Sequence, residues 1–464
     1  MNKYKKLLSN TFIIGLGTFG SKFLTFCLMR FYTSCLSPAE LGDADILTQT
    51  ANLLIPLVGC GMTDAVFRFA MDRNRCKPAV FTAGLYTVLL GSLLFGAVGM
   101  PFFSKIAYFN GHAWLIYFYV VASCVHSVFA QYVRGCGKTR LFAIQGIFST
   151  AAVIGLNLLF LYGLKWTLVG YVLSIVLSDA LTSVFLLFAG RLYRELLHPR
   201  INRRMWRTML RYSVPLIPTT VFWWVTNAAD RYMVKGMVGD TANGLYGAAY
   251  KIPTLLILAS GVFIEAWQFS AVTDNHDGRK SEFFGVVFGS YQALIALAAA
   301  FLIAFSKVIA VVLFDAEYYT AWRYMPILII ATVFSSHVTF MGSVYLVDRK
   351  SMLSMITSTI GAALNFVFNF LLIPVWGPNG AAVATFISYF VVYIIRAVNT
   401  QRYLPFQLHN DKMVLNTLLL ALQAAAMLSE MPYWMLVQGA AILLIVAFNA
   451  RPIRIGVKKI LRAA

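Results

Sequence analysis

Long apolar stretches alternate with short polar connections along almost the whole chain. An apolar run of about 20 residues can cross a bilayer as an α-helix, which satisfies its backbone hydrogen bonds internally. A transmembrane β-barrel would show short segments of alternating polarity instead. The pattern therefore predicts an all-α, polytopic membrane protein with about fourteen spans, at 10–34, 46–70, 79–103, 113–133, 141–164, 167–190, 212–235, 246–272, 283–307, 324–347, 353–375, 379–400, 413–429 and 432–449.

Composition excludes the common soluble classes. Hydrophobic residues make up 59% of the 464 residues and charged residues 12%, whereas a soluble domain carries about 25% charged residues. An intrinsically disordered chain would be far less hydrophobic. About fourteen spans of about 20 residues account for about 280 residues, so we expect short loops and no sizeable domain outside the membrane.

The net charge of +20 is concentrated in the loops and at the chain ends. Lys and Arg collect on one predicted side of the membrane, including the segment 191–211 and the tail from Arg451 to Arg462. Cytoplasmic loops carry such an excess, which predicts that both termini and the segment 191–211 are cytoplasmic. Since no nucleic-acid-binding motif accompanies these residues, we expect no nucleic-acid partner.

The two halves of the chain resemble each other at a spacing of about 200 residues, and the matches keep their order. The repeat predicts a pseudo-symmetric pair of six-helix lobes, 1–190 and 212–400, joined by the basic linker 191–211, with two more spans and the tail in 401–464. Repeats that run in the same direction are related by an axis along the membrane normal, and they imply alternating access to a cavity. The matched residues are Arg30 with Arg231, His126 with His337, Asn157 with Asn369, and Gly170 with Gly380.

Several basic residues fall inside predicted spans. A charge at mid-bilayer costs about 2.5–3.5 kcal/mol on insertion scales, so it should face water or a partner. Lys22 lies near the middle of the first span, and Arg30 and Arg231 occupy matching places in the two halves. With Lys235 and Lys251 they predict a cationic cavity for an anion such as a phosphate or pyrophosphate. The alternative is that these side chains reach the interface or pair with acids: Asp230, Glu265 or Asp64.

Buried carboxylates are the candidates for ion coupling. Asp179 and Glu265 lie within spans and would carry a proton or cation, or else a helix-packing hydrogen bond. Asp64 is a further candidate, although its spacing from Arg68 favours an ion pair along one helix. His126 and His337 are open to the same two interpretations, a proton relay or packing.

No motif for covalent chemistry is present. The sequence has no complete phosphate-binding loop of the form Gly-x-x-x-x-Gly-Lys-Ser/Thr, no His-Glu-x-x-His and no Gly-x-Ser-x-Gly. We therefore expect no enzyme activity and no cofactor, and any transport must use an ion gradient, the membrane potential or a substrate gradient.

Three stretches carry a resemblance to a known family. The first runs from Phe31 to Gly42, and the second includes Asp230-Arg231-Tyr232 and the stretch from Asn243 to Lys251. The third includes Asn365 and Asn369 and the turn from Ile373 to Ala382. In this order the motifs resemble the polysaccharide flippases of the multidrug/oligosaccharidyl-lipid/polysaccharide exporter superfamily, over essentially the whole chain.

The resemblance implies a bacterial inner-membrane flippase that moves undecaprenyl-diphosphate-linked oligosaccharide to the outer leaflet, with a polymerase or ligase of the same pathway as a partner. It further implies a central cavity whose cations meet the diphosphate, and a groove for the lipid tail at the last two spans. Lys22, Arg30 and Arg231 are then the first substrate contacts expected, followed by Lys251 and Arg68.

Other functions remain open from sequence. A lipid II flippase or an ion-coupled drug exporter belongs to the same superfamily, although an exporter of cationic compounds should have an acidic cavity. A membrane-embedded polymerase or ligase would need a large external loop, and no predicted external loop exceeds about twenty residues. A scaffold without transport activity would not need Lys22 within a span.

Overall fold

A computed structural model describes residues 28–72, 76–109, 111–273, 280–348 and 350–463, and every regular element in those ranges is helical. The chain divides into two compact units, one up to Ala228 and one from Ala229. Its helices are α1 (Met29–Cys35), α2 (Pro38–Val58), α3 (Met62–Ala70), α4 (Lys77–Leu94), α5 (Ala113–Gly135), α6 (Thr139–Asn157), α7 (Thr167–Ala189), α8 (Tyr193–Leu197), α9 (Arg203–Ser213), α10 (Ile217–Met237), α11 (Asp240–Thr273), α12 (Lys280–Ala304), α13 (Ser306–Leu313), α14 (Met325–Val347), α15 (Ser351–Trp376), α16 (Pro378–Thr400), α17 (Asn410–Leu428) and α18 (Trp434–Ala463).

The chain is a multi-pass membrane protein. In the described ranges nine helices are long and apolar enough to cross a membrane, or ten if the bent pair α2 and α3 counts as one span. The shorter apolar helix Trp434–Ala450 coincides with the last predicted span. Most of the first predicted span, 10–34, lies outside the described residues, so the count of fourteen stays a prediction.

The second predicted span, 46–70, is wrong in its start and in its continuity. The helix begins at Pro38, because the Ser37 hydroxyl and the Glu40 carboxylate form a capping box around the first turn. It breaks after Val58, where Cys60 and Gly61 adopt positive φ angles of 49° and 61°, and α3 leaves at 56° to α2. The Ser213 hydroxyl donates a 2.7 Å hydrogen bond to the Cys60 carbonyl at this break.

In the first unit, α7 packs against both α5 and α6, while α5 also packs against α2, α3 and α4. The basic segment 191–211 contains α8 and most of α9, and α9 lies against α3 and α4. Met209 of α9 is fully buried, and the Trp206 indole donates a 2.7 Å hydrogen bond to the Thr87 hydroxyl. The apolar side of this basic helix therefore belongs to the core of the first unit.

In the second unit, α16 packs against both α14 and α15, and α12 packs against α17 and α18. The contact of α15 with α16 depends on Gly380, where a Cβ would lie 2.2 Å from the Leu372 carbonyl oxygen. Buried amides join α17 to α18: Asn449 donates to the Asn416 side chain at 2.8 Å. Such polar contacts hold helices together in lipid, where hydrophobic burial does not drive association.

Three helices in each unit have the order and packing that the predicted internal repeat leads one to expect. Helices α5, α6 and α7 recur as α14, α15 and α16, with similar lengths and with the third helix of each set packed on the other two. Gly170 and Gly380, matched in sequence, both lie in the first turn of that third helix, against the end of the preceding segment. These three helices therefore share one arrangement in the two units, and the full six-helix repeat stays a prediction.

Candidate functional site

A buried charged cluster lies where α10 meets α11 in the second unit. The Arg231 side chain is 6% exposed and that of Asp230 is 3% exposed. The Arg231 guanidinium lies 4.9 Å from the centre of the Tyr250 ring. The Tyr246 hydroxyl donates a 2.7 Å hydrogen bond to one Asp230 carboxylate oxygen, and the Arg231 backbone N–H donates to the other at 2.9 Å.

The local sequence explains this placement. Gly239 lies between α10 and α11 with φ at 124°, a backbone conformation that disfavours residues with side chains. Tyr246 and Tyr250 are four residues apart on α11 and so share one face. That face sets a hydroxyl against Asp230 and an aromatic ring against Arg231, which keeps a charged guanidinium in an apolar region through cation–π contact and a neighbouring carboxylate.

Two other basic residues of this region differ from Arg231. Lys235, one turn further along α10, forms an ion pair with Asp240 at 3.1 Å. Lys251 follows Tyr250 on α11 and is half-buried. Since Lys235 has its own carboxylate partner, we do not count it among the candidate substrate contacts.

In the first unit the predicted basic residues are more exposed. Arg30 on α1 and Arg68 on α3 are both exposed, and Lys22 lies outside the described residues. Asp64 is also exposed, and no ion pair joins it to Arg68 among the described side chains. The expected pairing is therefore not formed, because an exposed pair gains little over solvation by water.

Asp179 lies in a polar network within the first unit. The Ser123 hydroxyl donates to one carboxylate oxygen, and His126 Nδ1 lies 2.9 Å from the other. His126 Nε2 lies 2.8 Å from the side-chain oxygen of Gln145 on α6. Of the other coupling candidates, Asp64 is exposed, and the Glu265 side chain lies outside the described residues.

Arg396, which was not predicted as a site residue, is a buried cation on α16 that is 4% exposed. Its guanidinium donates to the Thr357 hydroxyl at 3.0 Å, the Val338 carbonyl at 2.8 Å and the Ser358 hydroxyl at 3.1 Å. These acceptors lie on α14 and α15, so Arg396 ties three helices together. The sequence feature that could have identified Arg396 is that it is a single arginine within an otherwise apolar predicted span, 379–400.

Comparison with known proteins gives a consistent pattern. The family profile described as polysaccharide biosynthesis protein matches residues 7–267. An uncharacterized membrane protein of Methanocaldococcus jannaschii is 23% identical over 392 residues, which cover 79% of this chain and 92% of that protein.

Two kinds of solved structure share the fold. The lipid II flippase MurJ, in an inward closed conformation, is similar with a TM-score of 0.69 at 13% identity, over 95% of this chain and 98% of that one. An inward-facing multidrug resistance MATE family transporter of the MOP superfamily is similar with a TM-score of 0.67 at 16% identity, over 85% and 96% of the two chains.

Proposed function

This chain belongs to the polysaccharide biosynthesis protein family, and we propose that it is a flippase for lipid-linked oligosaccharides. It moves undecaprenyl-diphosphate-linked glycan repeat units from the inner to the outer leaflet of a bacterial cytoplasmic membrane, for export of a surface polysaccharide. The lipid crosses the membrane by alternating access, in which the binding site opens first to one side and then to the other. The observation that carries the proposal is the family match over residues 7–267, and the transporter-like fold supports it.

The charge balance supports a diphosphate as the group that is recognised. A diphosphate is compact and strongly negative, and a guanidinium can donate two parallel hydrogen bonds to its oxygens. Arg231 is a buried guanidinium within a helix of the second unit. A site for cationic drugs would need the opposite charge, so a buried guanidinium favours the lipid diphosphate.

The proposed contacts keep the order expected from sequence. Lys22, Arg30 and Arg231 bind the diphosphate, and Lys251 and Arg68 assist at its edge. Of these, Arg231 has the strongest structural support, since its guanidinium is buried and lies over the Tyr250 ring. The glycan then needs few specific contacts, because the lipid diphosphate supplies most of the recognition.

A lipid II flippase is the second candidate, because lipid II presents the same undecaprenyl diphosphate. The MurJ likeness supports the fold of such a protein but not its substrate. The two candidates differ in the saccharide, so competition between the two lipids for movement decides between them. In either case a polymerase or ligase would receive the flipped lipid in the outer leaflet.

Loss of the cations should stop export. In cells that depend on this chain, Lys22→Ala and Arg231→Ala should each abolish the surface polysaccharide while the protein reaches the membrane in normal amounts. Surface polysaccharide is measured by immunoblot, and the protein by its level in isolated membranes.

Lys235→Ala is the matched control for Arg231→Ala. It removes a buried cation from the same helix, one turn away, but one that pairs with Asp240. We expect the Lys235 variant to export normally. Wild-type export by both Lys22→Ala and Arg231→Ala would refute the assignment of these residues to the substrate.

A further inference from the structure

Helix α9 carries a row of exposed arginines, which we call the arginine face: Arg203, Arg204, Arg207 and Arg211. By helix geometry they lie within an arc of about 100° and over about 12 Å of the helix axis. The opposite side of α9 holds Met205 and Met209, which are buried in the first unit. One side of this helix therefore belongs to the protein core, and the other side is free to meet a partner.

Contacts with the first unit hold α9 in this orientation. The Trp206 indole donates a 2.7 Å hydrogen bond to the Thr87 hydroxyl on α4. At the other end of the helix, the Ser213 hydroxyl donates a 2.7 Å hydrogen bond to the Cys60 carbonyl. Rotation of α9 about its own axis would break both bonds, so the arginine face stays turned away from the first unit.

The four guanidinium groups have no partner within the described part of the chain. None of them forms an ion pair, a side-chain hydrogen bond or a ring contact with a described residue. The segment 191–211 contains seven arginines, no lysine and a single acid, Glu195. A guanidinium binds a phosphate through two parallel hydrogen bonds, whereas an ammonium acts as a point charge. The arginine face is therefore suited to phosphate oxygens on a partner.

The ends of two membrane-spanning helices indicate where α9 lies. Helix α7 is long and apolar enough to cross the membrane, and it ends at Ala189, just before the segment 191–211. The Arg200 backbone N–H donates a 3.2 Å hydrogen bond to the Thr82 hydroxyl, in the second turn of the apolar span that begins at Lys77. A segment attached to the end of one span and to the beginning of another lies near the membrane surface. We therefore expect α9 near the level of the lipid head groups.

Exposed apolar side chains flank the arginine face at both ends. Before α9, Leu197 is 71% exposed and Ile201 is 61% exposed, and after most of its length Tyr212 and Val214 are also exposed. Such side chains are unfavourable in water but favourable at the boundary between head groups and acyl chains. An acidic soluble protein would meet the arginines alone, whereas a bilayer surface meets the arginines and the apolar side chains together.

We propose that the arginine face of α9 binds the phosphates of anionic phospholipids, such as phosphatidylglycerol, in the leaflet beside which it lies. The apolar residues at its ends enter the acyl boundary of the same leaflet. A general excess of positive charge in this loop would require basic residues but no particular order. The alignment of four arginines on one face, opposite a buried face, fits a flat anionic surface. No lipid-linked oligosaccharide takes part, so this binding is independent of the proposed function.

The purified full chain in neutral detergent is titrated with fluorescent phosphatidylglycerol and, separately, with fluorescent phosphatidylcholine that has the same acyl chains. The test variant replaces all four residues of the arginine face by Gln. Each basic residue near an anionic lipid surface strengthens the attraction about fivefold. We therefore expect the affinity for phosphatidylglycerol to fall at least about tenfold, with binding of phosphatidylcholine unchanged.

A matched control variant removes four positive charges from other loops on the same predicted side: Arg140→Gln, Lys350→Gln, Arg402→Gln and Lys412→Gln. It has the same net charge as the test variant but keeps the arginine face. We expect it to retain most of the affinity for phosphatidylglycerol. Equal losses of affinity in the two variants would show an effect of net charge alone and would overturn the proposal.

Hydrogen exchange of the wild-type chain in nanodiscs locates the contact and does not depend on the folding of any variant. The amides of 196–214 should exchange more slowly when phosphatidylglycerol is present than in phosphatidylcholine alone. Equal exchange in the two bilayers would refute the site. Protection of this segment by soluble polyglutamate, without protection by phosphatidylglycerol, would assign the arginine face to an acidic protein instead.

Discussion

The Tyr246 hydroxyl is the most sharply testable contact of the charged cluster on α10 and α11. Tyr246→Phe removes one oxygen atom from a side chain that is completely buried, and it leaves the ring in place. The lost interaction is the 2.7 Å hydrogen bond to Asp230, whose carboxylate lies beside Arg231. The variant therefore isolates one bond that joins two helices.

The size of the effect follows from the charge of the acceptor. Hydrogen bonds to charged groups contribute about 1.5–3 kcal/mol in soluble proteins. Interhelical bonds measured within a membrane average about 0.6 kcal/mol and reach about 1.7 kcal/mol. Because Asp230 is 3% exposed and water cannot easily replace the hydroxyl, we expect Tyr246→Phe to lower the free energy of unfolding by about 1–2 kcal/mol.

Tyr393→Phe supplies a control of the same chemistry. Tyr393 is also buried in the second unit, at 2% exposed, but its hydroxyl has no hydrogen-bond partner among the described residues. Removal of an unsatisfied buried hydroxyl should be neutral or stabilising by up to about 1 kcal/mol. Unfolding of both variants in mixed micelles, followed by tryptophan fluorescence, gives the comparison. Equal losses for the two variants, or no loss for Tyr246→Phe, would refute the role of the Asp230 bond.

Two further predictions concern helix packing. Gly380→Ala should destabilise the chain by about 1–3 kcal/mol, because its Cβ would lie 2.2 Å from the Leu372 carbonyl oxygen, whereas Gly439→Ala, with open space around it, should not; equal thermal midpoints for the two variants in detergent would contradict this. A double-mutant cycle of Asn416→Ala and Asn449→Ala should give a coupling energy of about 0.6–1.7 kcal/mol for the 2.8 Å amide bond, and strictly additive effects on unfolding would argue against it.

Hydropathy predicted the all-α membrane fold, because a run of apolar residues has no other stable structure in lipid. It misplaced the start of the second span, since Asp43 and Asp45 lie inside the first turns of α2 and lower the local hydropathy. It also missed the break at Cys60 and Gly61, which depends on backbone angles and on a hydrogen bond from Ser213, far along the chain.

The sequence predicted individual residues of the candidate sites, but it did not predict which of them contact each other. Asp179 and His126 were each recognised as polar groups within spans, but their 2.9 Å contact depends on the rotation of two helices. An almost uniformly apolar helix carries little information about which face meets its neighbour. The contact between Arg231 and Tyr250 could not be predicted for the same reason. The four-residue spacing of Tyr246 and Tyr250 shows that they share a helix face, but it does not show which residue that face contacts.

The central claim is that the chain moves a lipid diphosphate. The most direct measurement is the flipping of fluorescent undecaprenyl-diphosphate oligosaccharide by the purified chain in liposomes, scored by quenching from one side. We predict movement that depends on the chain, that unlabelled undecaprenyl-diphosphate oligosaccharide inhibits, and that a neutral lipid of equal tail length does not. Efflux of cationic dyes without any movement of the diphosphate lipid would contradict the account.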